Sequence, residues 1–446
     1  MTPAAWLRRR VLPLRLQLGH GYNGVMKQRV NRLAVVGGGA AGLTAAIAAG
    51  ERARELGVPL DIVVFERDDR VGRSILATGN GRCNFSNHNI KFFDYHNYEF
   101  VGEAIGRIAM APDDDAVHSF FSSHGLFWRE EDDGRQYPQA NKASVVVDVL
   151  RASAAAVGVR EACECEVAAI EAPREAGKPF TLRMADGVLE RADAVIVACG
   201  GKAMTSLSAA GLAVLPLQPM LGPLRCSGED AKFTRELDNI RVRCRAMLVR
   251  PQGNEYACVA LERGELMFRK YGLSGICVYD LSRHFQPGDE VEINFLPDYD
   301  PFEPGEVEAF LAERWDALTD MFGAITYGDF LRGLLLPRVS EALLKRSGVR
   351  PDEACGRDDA VNLACLLTML HLSVEGIADA DQCQVRRGGL DVAGFDPQTM
   401  SVRKLPGLYA AGEALDVDGR CGGYNLHWAW SSGLIAGRAA TDWLNS

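Results

Sequence analysis

No uninterrupted apolar run of about eighteen residues occurs in the chain, and this excludes a membrane-spanning helix on length alone. The 12 cysteines contain no CxxC or CxxxxC pair, so neither a zinc ribbon nor a redox disulfide is legible, and no metal-ligand set emerges. Cys163 and Cys165 stand too close along one strand for an ordinary disulfide, and this usage fits a reducing, cytoplasmic setting. Positive charge is not in excess either. A formal charge of -10 speaks against DNA or a non-specific nucleic-acid coat, while leaving room for a local basic patch that docks on folded RNA. Internal repeats and low-complexity stretches are missing too, and at 446 residues the chain exceeds one compact core, so two or three domains are expected.

Residues 1–25 carry Arg8, Arg9, Arg10 and Arg15 without an acid. A targeting segment, a basic anchor and an extension ahead of a working start at Met26 compete for this stretch. Arginines interrupt the leucines and no small-residue cleavage site follows, which favours the last reading.

Beyond Met26, Leu33–Val36 is a short apolar run ending at Gly37. Ala40–Leu56 is alanine-rich and helical, Gly57 fits its stop, and Asp61–Phe65 is a second β-branched run. This is a βαβ unit. A helical pattern over Val145–Val157 leads to alternating segments and to a buried-type strand, Ala194–Ala198, followed by Cys199, Gly200 and Gly201. Residues 205–300 change to short alternating runs that suggest an antiparallel sheet or barrel, and 301–380 reads mostly helical. A strand returns at Gly407–Ala411, and a helix follows Gly422 and Gly423. The organisation expected is therefore α/β: a Rossmann-like dinucleotide-binding domain assembled from residues 26–204 and 381–446, with an inserted barrel-like region and a helical subdomain between them.

Gly37, Gly39 and Gly42 form GxGxxG between strand and helix, and Glu66 closes the second strand. The first glycine turns tightly, the second admits the backbone to a pyrophosphate, and the third lets helix and strand pack closely. The helix N-terminus offers N–H groups to phosphate, and Glu66 can accept from a ribose. NAD and FAD share this turn, so the unit does not choose between them. The segment Leu408-Tyr-Ala-Ala-Gly-Glu413 resembles the strand, glycine and acid by which two-dinucleotide flavoproteins hold FAD. Amides after Gly422 and Gly423 could face the flavin N1 and O2 edge, where reduction brings negative charge.

The run VGRSILATGNGRCNFSN from Val71 to Asn87 adds a third signature. So do Gly134-Arg-Gln-Tyr-Pro138 with Lys142-Ala-Ser, Gly264-Glu-Leu-Met-Phe268 with Gly272-Leu-Ser-Gly275, Gly388-Gly389, and Gly412–Gly419 leading to Gly422-Gly-Tyr-Asn-Leu426. Together they resemble the BaiN/RdsA (YhiN-like) family of NAD(P)/FAD-dependent oxidoreductases, also labelled aminoacetone-oxidase-like. The resemblance implies FAD as cofactor, with Gly79, Gly81, Arg82, Cys83 and Asn84 along the flavin and Gly412, Glu413, Gly422, Gly423 and Asn425 closing over it. Ala41, Arg67, Gly200 and Leu426 join the cofactor set within the same segments. It also implies hydride transfer to a C=C bond conjugated to a carbonyl, in a steroid-like enone or in a uridine of ribosomal RNA.

Such a reduction needs a general acid. Cys83, Tyr137, Tyr424 and His427 are the candidates, each weighed against a structural role; His427 stands where the family pattern has glutamine. Arg269-Lys270 replaces threonine-histidine, and Arg386-Arg387 replaces an uncharged residue and a small one, which points to an anionic or otherwise different substrate. Arg241, Arg243 and Arg245 would share one face of a strand, either as a footprint for RNA phosphates or as a solvated, ion-paired face. No second GxGxxG appears, so either NAD(P)H docks transiently as the reductant or another donor reduces the flavin. An aminoacetone-type amine oxidase and a non-catalytic, flavin-stabilised RNA- or ribosome-binding protein stand as alternatives.

Overall fold

The computed structural model describes residues 29–108, 116–175, 177–204, 208–253, 255–299 and 305–446; the arginine-rich stretch ahead of Met26 lies outside them. The sequence's βαβ unit forms the centre of a five-stranded parallel sheet. The strand Asn31–Val36 lies between Leu60–Phe65 and Ala194–Val197; Arg160–Ala162 flanks the first, and Leu408–Ala410 flanks the second. Each of the three central strands is buried through its last four residues or along its whole length, which is why they read as continuous apolar runs. Leu408–Ala410 comes from the far end of the chain, so the Rossmann sheet is assembled from both ends.

The helices Ala40–Leu56 and Tyr424–Leu444 pack on this sheet and on each other. Contact is close because glycine faces backbone: a methyl at Gly433 would sit 2.6 Å from the Ala41 carbonyl oxygen, and one at Gly437 2.2 Å from that of Ala45. The antiparallel ribbon Val214–Met220 with Val385–Leu390 marks where the chain leaves and re-enters this part. Beyond it, six strands close a barrel in the order Leu224–Cys226, Gly272–Ser274, Glu255–Arg269, Arg241–Gln252, Glu290–Asn294 and Leu370–Ile377. The last strand ends the stretch expected to be helical. Leu370, Leu372 and Val374 point inward at every second residue, a pattern too short to stand out after the helices between Glu306 and Thr368. Two large apolar cores result, one under the Rossmann sheet and one inside and beside the barrel, with a small third cluster of Met220, Leu221, Val385 and Cys421 at the ribbon.

Candidate active site

The glycine-rich turn is built by close approach. Gly37 has φ +104°, and a methyl there would lie 2.5 Å from the Ala198 carbonyl oxygen; at Gly42 it would lie 1.9 Å from that of Gly37. Gly39 caps the helix and carries no such conflict, its nearest neighbour being the Ser74 hydroxyl at 3.1 Å. Glu66 holds the turn through both carboxylate oxygens, accepting from the Gly38 N–H (2.7 Å) and the Asp68 N–H (2.9 Å). Gly38 was missed by the motif: Val71 would meet its methyl at 2.6 Å, so close packing against the next segment requires it. Arg67 is exposed beside this edge, and Ala41 is buried in the first helical turn.

Across the sheet end, Gly200 and Glu413 face each other, with the Glu413 carboxylate 3.9 Å from where a Gly200 methyl would be. Burial pushes the Glu413 carboxyl up to about 7, with Asp418 adding and Arg386 opposing. Gly412 has φ +66°; its N–H donates to Ser432 Oγ (2.9 Å) and its carbonyl accepts from the Trp428 indole (3.2 Å), which pins the strand end to the C-terminal helix.

The segment from Gly79 to Asn84 concentrates left-handed backbone, with φ +55° at Gly79, +56° at Asn80, +81° at Gly81 and +60° at Cys83. Non-glycine residues adopt that region at a cost, and such strain gathers at ligand sites. Arg82 is held by Glu131 (3.1 Å) and lies 4.1 Å over the ring of the buried Tyr137. Asn84 Oδ1 is buried without a hydrogen-bond partner. An orphaned acceptor of this kind suits a flavin, whose ring carries an N–H donor.

Gly422 and Gly423 have φ +99° and +105°, and a methyl at Gly423 would lie 2.2 Å from the Ser86 carbonyl oxygen. The two halves of the chain therefore touch at backbone distance. Asn425 bridges the loop ahead of the helix, accepting from the Gly419 N–H (2.7 Å) and donating to the Gly419 (3.0 Å) and Arg420 (3.1 Å) carbonyls. Leu426 packs half-buried on the Rossmann core.

The acid candidates are all sequestered. Cys83 is wholly buried, and burial pushes its thiol up to about 12. Tyr424 donates to the Asn89 carbonyl (3.2 Å), and its phenol is pushed up to about 12, by burial first and Asp94 second. His427 is 2% exposed and hydrogen-bonded through Nδ1 to Ser86 Oγ at 2.9 Å.

Next to the 419–423 loop opens a cavity of about 300 Å³, lined from the Rossmann side by Phe93, Asp94 and Arg420 and from the barrel side by Glu262, Asp280 and Arg283. A cleft of about 560 Å³ elsewhere, between Glu236 and the helix Pro337–Ser347, includes no residue of the glycine loops. Phe93, on the cavity wall, is exposed, and its ring lies 3.9 Å from that of Phe92 and 5.7 Å from that of Tyr98.

The basic departures noted in the sequence fall elsewhere than expected. Arg387 lines the cavity but is bidentate on Asp418 (2.7 and 3.0 Å), so it is held by a carboxylate of the protein itself. Arg269 binds Asn239 and Lys270 lies by Asp238, at a hairpin end that does not line the cavity. Of the arginine stripe, Arg241 and Arg243 are exposed, Arg241 pairs with Glu265, and Arg245 is 4% exposed, so no three-residue charged face is presented.

Comparison with known proteins agrees with this construction. The HI0933-like protein Rossmann domain matches residues 31–439. A 3-dehydro-bile acid delta(4,6)-reductase of Clostridium scindens is 33% identical, over 93% of this chain and all of that protein. Ribosomal RNA dihydrouridine synthases of Escherichia coli and Haemophilus influenzae are 30% and 27% identical, each over 89% of this chain and 95% of theirs. The two-ended Rossmann sheet, the glycine loops that meet across it and this full-length similarity together place the chain in the HI0933-like Rossmann family, as an FAD-dependent oxidoreductase.

Proposed function

We propose that the chain reduces a carbon–carbon double bond conjugated to a carbonyl, in a flat ring that enters the cavity beside the 419–423 loop. Bound FAD, once reduced, supplies a hydride from N5. Gly37, Gly39, Gly42 and Glu66 are the residues we assign to its ADP half, and Gly79–Asn84, Gly412, Glu413, Gly422 and Gly423 to its flavin half. NAD(P)H is the electron donor we infer.

The observation that carries this reading is the position of the polar cavity: it shares Arg420 with the loop that ends at Gly422 and Gly423, and the exposed ring of Phe93 on its wall offers a face to a planar ring. Both relatives' names describe reduction of unsaturated rings, one a bile-acid derivative and one a ribosomal uridine, and the same chemistry serves either. The chain's own residues would position the ring, exclude bulk water and deliver a proton.

Anaerobic bleaching of the flavin by NADH or NADPH, then addition of a steroid enone or a uridine-bearing rRNA fragment, tests the reading and separates its two substrate sources. Return of the oxidised flavin spectrum with one acceptor, ahead of its return in air, is expected. Reoxidation by neither acceptor would sink it, and peroxide release from aminoacetone would point to an amine oxidase instead.

A further inference from the structure

Three carboxylates meet one guanidinium in the cavity. Arg420 lies 2.5 Å from Glu262, 3.9 Å from Asp280 and 3.7 Å from Asp94. Glu262 stands on the barrel strand Glu255–Arg269, Asp280 on the helix Ile276–Ser282, and Asp94 on the turn Phe92–Asp94. The other cations are committed: Arg283 (3.1 Å) and Arg387 (2.7 Å) both bind Asp418. Glu262, Asp280, Asp94 and Asp418 thus outnumber Arg420, Arg283 and Arg387 by one charge, and such a half-buried cluster retains a proton near neutrality.

The partners indicate which carboxylate holds it. Asp280 Oδ1 accepts the Cys421 N–H at 2.7 Å, which favours its ionised form. Among the described residues Glu262 has no backbone donor: Arg420 meets Oε2 alone and favours the charged form there, while Oε1 is left open to carry the proton. Burial pushes Glu262 up to about 7 against the pull of Arg420 and, less, of Arg283, with Asp280 and Asp94 adding to the rise; burial pushes Asp280 to about 6 against the Cys421 N–H, Arg420 and Arg283. The remaining neighbours are poor donors. Burial and Arg283 lower His284, which favours its neutral form, and His96 is engaged by Asp416 at 3.2 Å. Burial raises the Cys421 thiol and the Tyr424 phenol.

We propose that Glu262 is the proton donor of the reduction, its carboxyl O–H protonating the α-carbon of a conjugated carbonyl substrate seated in this cavity. The assignment rests on the reductase reading. The hydride from reduced flavin forms a C–H bond at the β-carbon, and the electron pair of the double bond moves toward the carbonyl oxygen. The Glu262 O–H bond then breaks, its proton forms the second C–H bond at the α-carbon, and the carboxylate left behind pairs with Arg420. Solvent returns the proton before the next cycle.

Glu262→Gln in the flavin-loaded protein tests this with two measurements. Infrared spectra of wild type minus Glu262→Gln, without acceptor, should leave one protonated-carboxyl band that fades as pH rises through about 7, over the band that the buried Glu413 gives in both proteins. No such wild-type-minus-variant band overturns the proposal. Single-turnover reoxidation of photoreduced flavin by enone or rRNA fragment should slow in the variant on the order of 10²–10⁴-fold. The wild-type decline toward high pH should vanish in Glu262→Gln and return in Glu262→Asp, while reoxidation by ferricyanide, which protonates no carbon, stays equal in all three. Turnover that persists in Glu262→Gln, or a pH limb lost in Asp280→Asn in its place, overturns the donor role alone. Failure of every conjugated acceptor in the wild type removes the reductase reading and the donor role together.

Discussion

A single methyl group separates two kinds of glycine in the first loop. At Gly42 it would collide with the Gly37 carbonyl oxygen at 1.9 Å, so helix and strand would have to part. Gly42→Ala should cost about 1–3 kcal/mol in urea denaturation of the flavin-free protein. Gly39 is different, since only the Ser74 hydroxyl lies near its methyl at 3.1 Å and a hydroxyl can rotate away. Gly39→Ala should leave flavin-free stability within about 0.5 kcal/mol of wild type, yet weaken FAD binding by about tenfold or more, if the role we assign it, letting the backbone approach the pyrophosphate, holds. Titration of FAD into the two apo-proteins decides this; wild-type affinity in Gly39→Ala would end that assignment. Cys83 shows the opposite economy. It stands in the most strained segment of the site, but its complete burial and raised thiol suit it less to giving up a proton than the carboxyl we propose across the cavity at Glu262.

The C-terminal helix Tyr424–Leu444 joins the two ends of the chain. Its start was legible from Gly422 and Gly423. Its contact with Ala40–Leu56 was not, because Gly433 and Gly437 acquire meaning only against the backbone of residues some four hundred positions away. Gly437→Ala places a methyl 2.2 Å from the Ala45 carbonyl oxygen, and backbone cannot rotate aside as a hydroxyl can. Loss of about 1–3 kcal/mol is expected in equilibrium unfolding, together with weaker flavin retention, since Gly412 and Ala41 are held by the same crossing. Unchanged stability would mean the helices shift apart freely. The same distinction runs through the rest of the fold. Strands with continuous apolar runs and glycine turns with local spacing could be read directly. The barrel's last strand, Leu370–Ile377, hid behind preceding helices, and the pair of Glu262 with Arg420 spans 158 positions that no local pattern connects.

At the scale of the whole molecule, Asp418 ties the Rossmann part to the insert. Its side chain is completely buried and receives Arg283, which follows the helix Ile276–Ser282, and Arg387, on the ribbon through which the chain re-enters; its carbonyl accepts the His96 N–H at 2.8 Å. Burial alone would raise this carboxyl, but Arg387 and Arg283 outweigh it and hold it below the usual range. Replacing one member of a buried ionic group leaves the others desolvated and unpaired, so Asp418→Asn should cost about 3–5 kcal/mol at neutral pH. The pH dependence has a definite sign. A carboxyl depressed in the folded state contributes stability above its unfolded value, 3.8, and that contribution is lost as pH falls through the lower folded value. Wild-type protein should therefore lose urea resistance below about pH 4 more steeply than Asp418→Asn, and the gap between them should narrow with acid. Parallel curves would show that the two arginines do not stabilise the ionised Asp418, and the link between the barrel and the flavin loop would then have to rest on the apolar contacts and backbone hydrogen bonds around it.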